Sequence, residues 1–585
     1  MHLSISHSPL PDRVAEKSVF LPYASPTTLA SIAQQGNRVH QMQNSNDSGK
    51  RFKFRRNAKI GEPGAEFDDE FLFQSFVDVG DYGELRNTKN PARIVVGRTG
   101  SGKTALLRLL QKREEHVIAI EPQNLSLNYI ANNDVIRFFD EIGVKLDLFY
   151  TLLWRHVFAV ELLKTRYGLT TAEKTESFFS SLVSAFHKKD QSKERAIKYL
   201  KDWGEKFWIE TEYRIKELTN KLASELKAEI GTDIPYLKGN LSATSNMSAE
   251  EKQEVVYRGQ QVVNQVQLKE LSEVIGYLND EAFTDDKRPY FITIDSLDEE
   301  WIDDSLRFKL IRALLETVKA FQRVQNVKII VALRQDLIQK VLSVGRDIGF
   351  QDEKYQSLIL KIRWNRSQIE TLLDNRIALL VRQQYTQRPV KLKELFPERI
   401  GRLTFIDYLL QRIAMRPRDA ILFINECIGR SEERGEVRVQ TVYDAEKAYS
   451  ISRRDALISE WASVFPSLSA ILPILEHAAA QFPVSALAKS AVDEAIQKAA
   501  DMTGDDAAIR ASKIYLEVAD GNRNTVLAEF TLVLFSVGAI SLRLEGGAGP
   551  ISAPDSPAPS PSQIKSSTKV MVHPMLHQAL HTVFH

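Results

Sequence analysis

Short, mainly apolar runs alternate along this chain with stretches whose apolar residues recur every three or four positions. The runs are Ile94–Val96, His116–Ile120, Pro289–Ile294 and Val327–Leu333. Continuous apolar character over four to eight residues predicts strands covered on both faces. Helical spacing follows the first run at Leu106, Leu107 and Leu110. It recurs over 132–167 and again from Leu306 to Val318. Strands alternating with helices predict an α/β fold with a mainly parallel sheet.

Charge-rich helical sequence over 169–286 interrupts that alternation. One long amphipathic helix is expected from Trp208 to Ile230, a loop at Gly239–Asn246, and a second helix through Val255 and Leu271. The sheet pattern resumes over 287–357. Residues 358–452 read as all-helical, a lid beyond the sheet. From 453 to 585, helices near Leu468–Phe482, Val484–Ala499 and Thr525–Val537 precede strands at Ala539–Leu544 and Lys569–His573. Three helices followed by a hairpin predict a winged-helix-like C-terminal domain. Its third helix is almost devoid of polar groups that could read DNA, which favours a packing or regulatory role. The stretch 546–566, rich in Pro, Ser, Ala and Gly, reads as a flexible loop. Residues 1–60 read as a disordered segment and 61–168 as the first part of the core.

Composition narrows the class. The chain has 585 residues, 26% charged, with a net charge of +1, so no global field favours nucleic acid or a membrane surface. The basic stretch Lys50–Arg56 reads as a solvated tail. Cys427 is the one cysteine, which excludes a disulfide within the chain and any cysteine-based zinc or redox motif. The most apolar run, Val526–Leu542, falls short of the roughly 20 residues a spanning helix needs. A cytoplasmic protein without membrane contact is expected. His573, His577, His581 and His585 fall four apart on one face if a helix continues to the end, but without a carboxylate among them they make a poor metal site.

The chemistry begins at Gly97-Arg98-Thr99-Gly100-Ser101-Gly102-Lys103-Thr104, followed by Ala105. This fits G-x-x-x-x-G-K-[ST] between a strand and a helix, the context that makes the motif a phosphate loop. Glycines let backbone N–H groups surround a phosphate, and the following helix points its positive end at it. Lys103 is expected at the β and γ phosphates, and the Thr104 hydroxyl at Mg²⁺. Phe291-Ile292-Thr293-Ile294-Asp295 is a strand ending in an acid, so Asp295 is the candidate carboxylate holding Mg²⁺ through water. Behind it, Ser296 is small, and a turn can return Asp298 or Glu299 to the γ-phosphate. Either acid can also cap the next helix. Arg334 ends the following strand. Arg416 and Arg418 flank Pro417 at a helix start, where proline fits the first turn.

These motifs resemble the bacterial STAND/KAP-like P-loop ATPases with a NACHT-type extended Walker B. The marks are the P-loop, Asp-Ser-Leu-Asp-Glu, the Ala-Leu-Arg strand end, Arg-Pro-Arg-Asp and a terminal winged helix with His-Pro-Met. The resemblance implies ATP and Mg²⁺ as cofactors and a γ-phosphate sensor role for Arg334. It implies that Arg416 or Arg418 faces phosphate from the lid. It further implies a slow, nucleotide-gated switch working as a homo-oligomer or with a partner effector protein, in bacterial stress or phage defence. The insertion is too charged for the membrane helices common in KAP proteins, and neither an enzymatic effector nor an internal repeat is read in this sequence. A DNA-associated motor or loader and an ATP-binding scaffold with negligible hydrolysis are the alternative readings.

Overall fold

The apolar runs become β1 (Ile94–Gly97), β2 (Val117–Ile120), β3 (Tyr290–Ile294) and β4 (Val327–Arg334), joined by β5 (Ile359–Lys361). The computed structural model describes residues 52–125, 143–184, 191–204, 249–265, 269–299, 304–344, 353–384, 390–517, 522–547, 549–553 and 556–584, with isolated positions within 136–140 and 207–224. The five strands form one parallel sheet in the order β2–β3–β4–β1–β5. Each residue of β1 and β3 is buried, as is β4 up to Leu333. Fully burying one such aliphatic side chain contributes about 1.5–3 kcal/mol.

β4 lies between the strand that feeds the phosphate loop and the strand that ends in Asp295. This order brings Gly97 level with Arg334 across β1 and β4. It therefore gathers Thr104, Asp295 and Arg334 at the carboxyl edge of the sheet, where α/β sheets bind ligands.

Helices cover both faces. α1 (Lys103–Arg113) packs on β1 and β2. α2 (Asp147–Tyr167) packs along α7 (Asp304–Ala320), and the Trp154 indole N–H donates to the Leu310 carbonyl at 2.9 Å. The described part of the insertion contains α3 (Ala172–Ser184), α4 (Gln191–Trp203), α5 (Ala249–Gln265) and α6 (Lys269–Tyr277). α6 ends in a π-helical turn, Leu278–Ala282. The expected helix Trp208–Ile230 falls almost wholly, and the loop Gly239–Asn246 entirely, outside the described residues. β4 leads into α8 (Gln335–Val344).

Beyond the sheet, the lid contains α9 (Arg366–Gln384), a two-residue hairpin of β6 (Arg399–Ile400) and β7 (Leu403–Thr404), and α10 (Pro417–Gly429). α11 (Val439–Trp461) packs along α10 and carries the chain onward. The C-terminal domain has a three-stranded antiparallel sheet of β8 (Gln481–Pro483), β9 (Ile540–Arg543) and β10 (Lys569–Val572), with β10 in the centre. α12 (Lys489–Ala500), α13 (Ala507–Glu517) and α14 (Arg523–Ser536) pack in succession beside it.

Several expectations need correction. The stretch from 358 onward is not all helical, because β5 adds the edge strand of the core sheet. Pro473 opens a 3-10 turn, Leu472–Leu475, that ends the helix expected up to Phe482, and β8 follows. α13 has no counterpart in the expected helices. Within 546–566, Ile551 and Leu542 exchange backbone hydrogen bonds of 2.7 and 2.9 Å, so this loop folds back on β9. His573, His577 and His581 share no helix: His573 caps a 3-10 turn, Pro574–Leu576, and His581 has a positive φ of 50°, while His585 lies outside the described residues. Order also begins before residue 60. Phe54 is fully buried and exchanges backbone hydrogen bonds with Glu433 and Arg434, each 2.9 Å.

Candidate nucleotide site

Gly100 and Gly102 have φ of +76° and +99°, left-handed values that side-chain-bearing residues avoid. A Cβ on Gly100 would also lie 2.7 Å from the Cβ of Arg418. Both glycines are therefore required by the curl of the loop and by the closeness of the lid. The loop opens α1, with Lys103 as its first residue. Lys103 Nζ donates to the Gly97 and Arg98 carbonyls at 3.3 and 3.2 Å. Burial lowers its pKa, opposed by the negative charges of Asp298 and Asp295. The ammonium thus lies in the loop's own cradle with two carboxylates nearby.

Asp295 lies at the end of β3. Burial pushes its carboxyl up, opposed by hydrogen bonds from the Thr104 hydroxyl and the Ser296 N–H and by the Lys103 charge. The N–H bond is 2.9 Å. Ser296 has a φ of +58°, a conformation costing a non-glycine residue on the order of 1 kcal/mol, and the turn it begins closes from Glu299 N–H to its carbonyl at 3.3 Å. Asp298 faces Arg334, with Nη1 and Oδ2 3.6 Å apart. The exposed Glu299 accepts from the Gln123 amide, and its carbonyl accepts from Arg307 at 3.0 Å.

Hard oxygen donors suit Mg²⁺, and Thr104 and Asp295 provide a hydroxyl and a carboxylate already hydrogen-bonded to each other. Among the described residues, no group of three His, Cys, Asp or Glu has metal-site spacing. Two oxygen donors fit an ion that would complete its shell with phosphate oxygens and water.

A cavity of about 260 Å³ adjoins the loop. Thr99 to Leu106, Asp295, Ser296, Asp298 and Glu299 line one side, and Trp364, Pro417, Arg418 and Ile421 come from the lid. Leu72, Phe76, Val77 and Val79 add an apolar wall. The Trp364 indole N–H donates to the Ser101 carbonyl at 2.8 Å.

That apolar wall belongs to a strap, residues 60–79, held from two sides. Arg108 of α1 donates to the Ala65 carbonyl at 2.9 Å and pairs with Asp69 at 2.6 Å. On the lid side, Arg376 of α9 pairs with Asp68 at 2.5 Å, both fully buried, and donates to the Ile60 carbonyl at 2.9 Å. Asn425 of α10 accepts from Ile60 N–H and donates to the Gly61 carbonyl, each at 2.9 Å.

Apart from Gly97, which ends β1 and accepts from Lys103, the candidate site residues divide into two groups. Thr99 to Ala105, Asp295, Asp298, Glu299 and Arg418 share the cavity. Arg98, Arg334 and Arg416 stand behind it, towards the C-terminal domain. Arg416 is buried, donates to the Thr99 carbonyl at 3.2 Å and pairs with Asp419 at 2.7 Å and Glu460 at 3.3 Å. Arg418 donates from Nε to the Pro63 carbonyl at 3.3 Å, and its N–H meets the Gly100 carbonyl at 3.3 Å. Arg334 forks onto Asp336 at 3.0 and 2.8 Å. Burial, with the Arg416 charge beside it, lowers Arg98 to about 10. Burial and the Arg98 and Arg416 charges push His573 down to about 3, so its imidazole is neutral at physiological pH.

Sequence reasoning missed Asp68, Asn425, Asp336 and Glu460. Asp68, Asn425 and Glu460 act through partners distant in sequence, and Asp336, two residues from Arg334, belongs to no motif.

Residues 367–458 match the family described as the FunZ-associated C-terminal helical domain. The matched stretch runs from α9 into α11 and includes Arg376, Arg416, Arg418, Asn425 and Arg453. No curated protein matches the chain by sequence. Similar solved structures include the Walker-type ATPase PABY2304 of Pyrococcus abyssi, 12% identical with a TM-score of 0.34, covering 86% of this chain and 96% of that one. The Aeropyrum pernix ORC2 protein, solved in ADPNP–ADP complexes, is 10% identical with a TM-score of 0.31, covering 86% of this chain and 93% of that one.

Proposed function

We propose that this chain is a cytosolic, Mg²⁺-dependent ATP-binding protein and slow ATPase used as a nucleotide-gated switch. The observation that carries the reading is the convergence of the phosphate loop, Asp295 and the lid on one cavity with an apolar end. Phosphates would lie against the loop N–H groups and Lys103, with the base against the strap. Thr104 and Asp295 would hold Mg²⁺, which supplies charge neutralisation on the phosphates. Asp298 or Glu299 would orient the attacking water. Arg418 would reach phosphate from the lid, while Arg416 holds the lid to the loop backbone.

The switch reading is supported by the connections behind the cavity. Glu460, at the end of α11, meets both Arg334 and Arg416, so a change at the γ-phosphate has a short route to the C-terminal domain. The buried α14 favours a packing role for that domain over DNA reading. The resemblance to STAND/KAP-like ATPases extends the proposal to bacterial stress or phage defence with a partner effector protein or a second copy.

The test is calorimetric titration of the full chain with ATP and Mg²⁺, paired with phosphate release. Saturable ATP binding that Lys103→Ala weakens by more than about tenfold supports the reading. Equal affinity in the parent and in Lys103→Ala would sink it.

A further inference from the structure

A second cavity, of about 310 Å³, lies among α2, the end of α6 with its π-helical turn, and the turn after α7. The turn after α7 leads into the first residue of β4, so this cavity opens at the amino edge of the sheet. The phosphate loop is at the carboxyl edge. Arg155 of α2 and Arg323 of the turn both line the cavity, with Ser272, Asn279 and Asp280.

The charges in it are poorly balanced. Among the described residues, neither Arg155 nor Arg323 forms an ion pair. Arg323 donates only to the Ala320 carbonyl, at 3.2 Å, and the exposed Asp280 carboxylate is engaged by the Asn279 amide at 2.5 Å. Burial and the Arg323 charge both disfavour the cationic form of Arg155. The two guanidinium groups repel each other across the cavity, and the carboxylate in its lining, Asp280, pairs with neither. The adjoining π-helical turn is an uncommon backbone form that often marks functional positions.

We infer that the cavity between Arg155 and Arg323 is an anion site for a small, soluble phosphate-bearing ligand, separate from the P-loop. Guanidinium groups match phosphate oxygens with forked donors, and the Ser272 hydroxyl and the Asn279 amide can donate beside them. The inference does not depend on the nucleotide reading of the first site.

The experiment uses the full chain carrying Lys103→Ala, which weakens the P-loop as a competing phosphate site. It is titrated calorimetrically with inorganic phosphate and with pyrophosphate, alone and with Arg155→Gln or Arg323→Gln added. The expected result is saturable binding weakened about tenfold or more by either arginine substitution. Pyrophosphate should also raise the melting temperature of the Lys103→Ala chain, and less so in the arginine variants. Absence of binding to Lys103→Ala overturns the inference, as does unchanged affinity in the arginine variants. If Arg155→Gln does not fold, the exposed Arg323→Gln decides alone.

Discussion

Arg334 donates from Nη2 to the main-chain carbonyl of Glu460 at 2.5 Å, joining the end of the central strand to the last turn of α11. The same guanidinium is forked on Asp336 and faces Asp298. Truncation by Arg334→Ala strands a buried carboxylate and a helix-end carbonyl, at a cost of about 2–4 kcal/mol. The expected outcome is a lower melting temperature, with faster amide exchange in α11 than in β1 or β3. Equal protection of α11 in the variant and the parent would show that this contact does not hold the C-terminal domain.

Lys103 and Glu299 should separate binding from turnover. Removing a charge-assisted contact to phosphate costs about 2–3 kcal/mol, so Lys103→Ala is expected to weaken ATP binding roughly 30- to 150-fold. Glu299→Gln keeps the size of the side chain and removes its basicity. It should leave affinity within a few-fold and lower phosphate release by roughly a hundredfold or more. Full turnover in Glu299→Gln would pass the water-orienting role to Asp298, to be measured in Asp298→Asn.

Much of this site was legible because its signals are local. The phosphate loop, the acid ending β3 and the arginine ending β4 each follow an apolar run, and parallel strands bring their carboxyl ends together. Three-residue strands such as β5 and β8 offer too little pattern to detect. The Asp68–Arg376 pair spans 308 positions and has no periodic signature. Arg416 and Arg418 stand two apart at a helix start with equal chemistry in sequence. Only packing separates them, one buried against Asp419 and the other lining the cavity.

Lys328 should impart a pH dependence of its own. It lies on the central strand, fully buried, and donates to the Glu84 and Asn87 carbonyls at 2.8 Å each. Burial, with the Arg93 charge beside it, lowers its pKa to about 7 from 10.5. Between those values the unfolded chain binds a proton that the folded chain does not, so stability rises with pH across that window. Below about 7 the destabilisation is complete, and above the unfolded value it is gone. Lys328→Met removes this contribution. The difference in unfolding free energy between parent and variant, measured at pH 7 and pH 10, should shift in the parent's favour as pH rises. A pH-independent difference would contradict the lowered value.

Gly61 tests the strap. Its φ is +112°, and a Cβ there would lie 2.2 Å from Arg376 Nη1 and 2.4 Å from Asp68 Oδ1. Neither atom can yield freely, because each belongs to a buried ion pair. Gly61→Ala therefore combines backbone strain with displacement of that pair, and a loss of about 3–5 kcal/mol is expected. The strap forms the apolar wall of the cavity, so nucleotide affinity should fall with stability, and more for ATP than for inorganic triphosphate, which has no base to lose contact. Asp68→Asn retains the shape of the side chain and removes the charge opposite Arg376. It should reproduce the loss of stability without the backbone strain. Equal loss of ATP and triphosphate affinity in Gly61→Ala would place the base away from the strap.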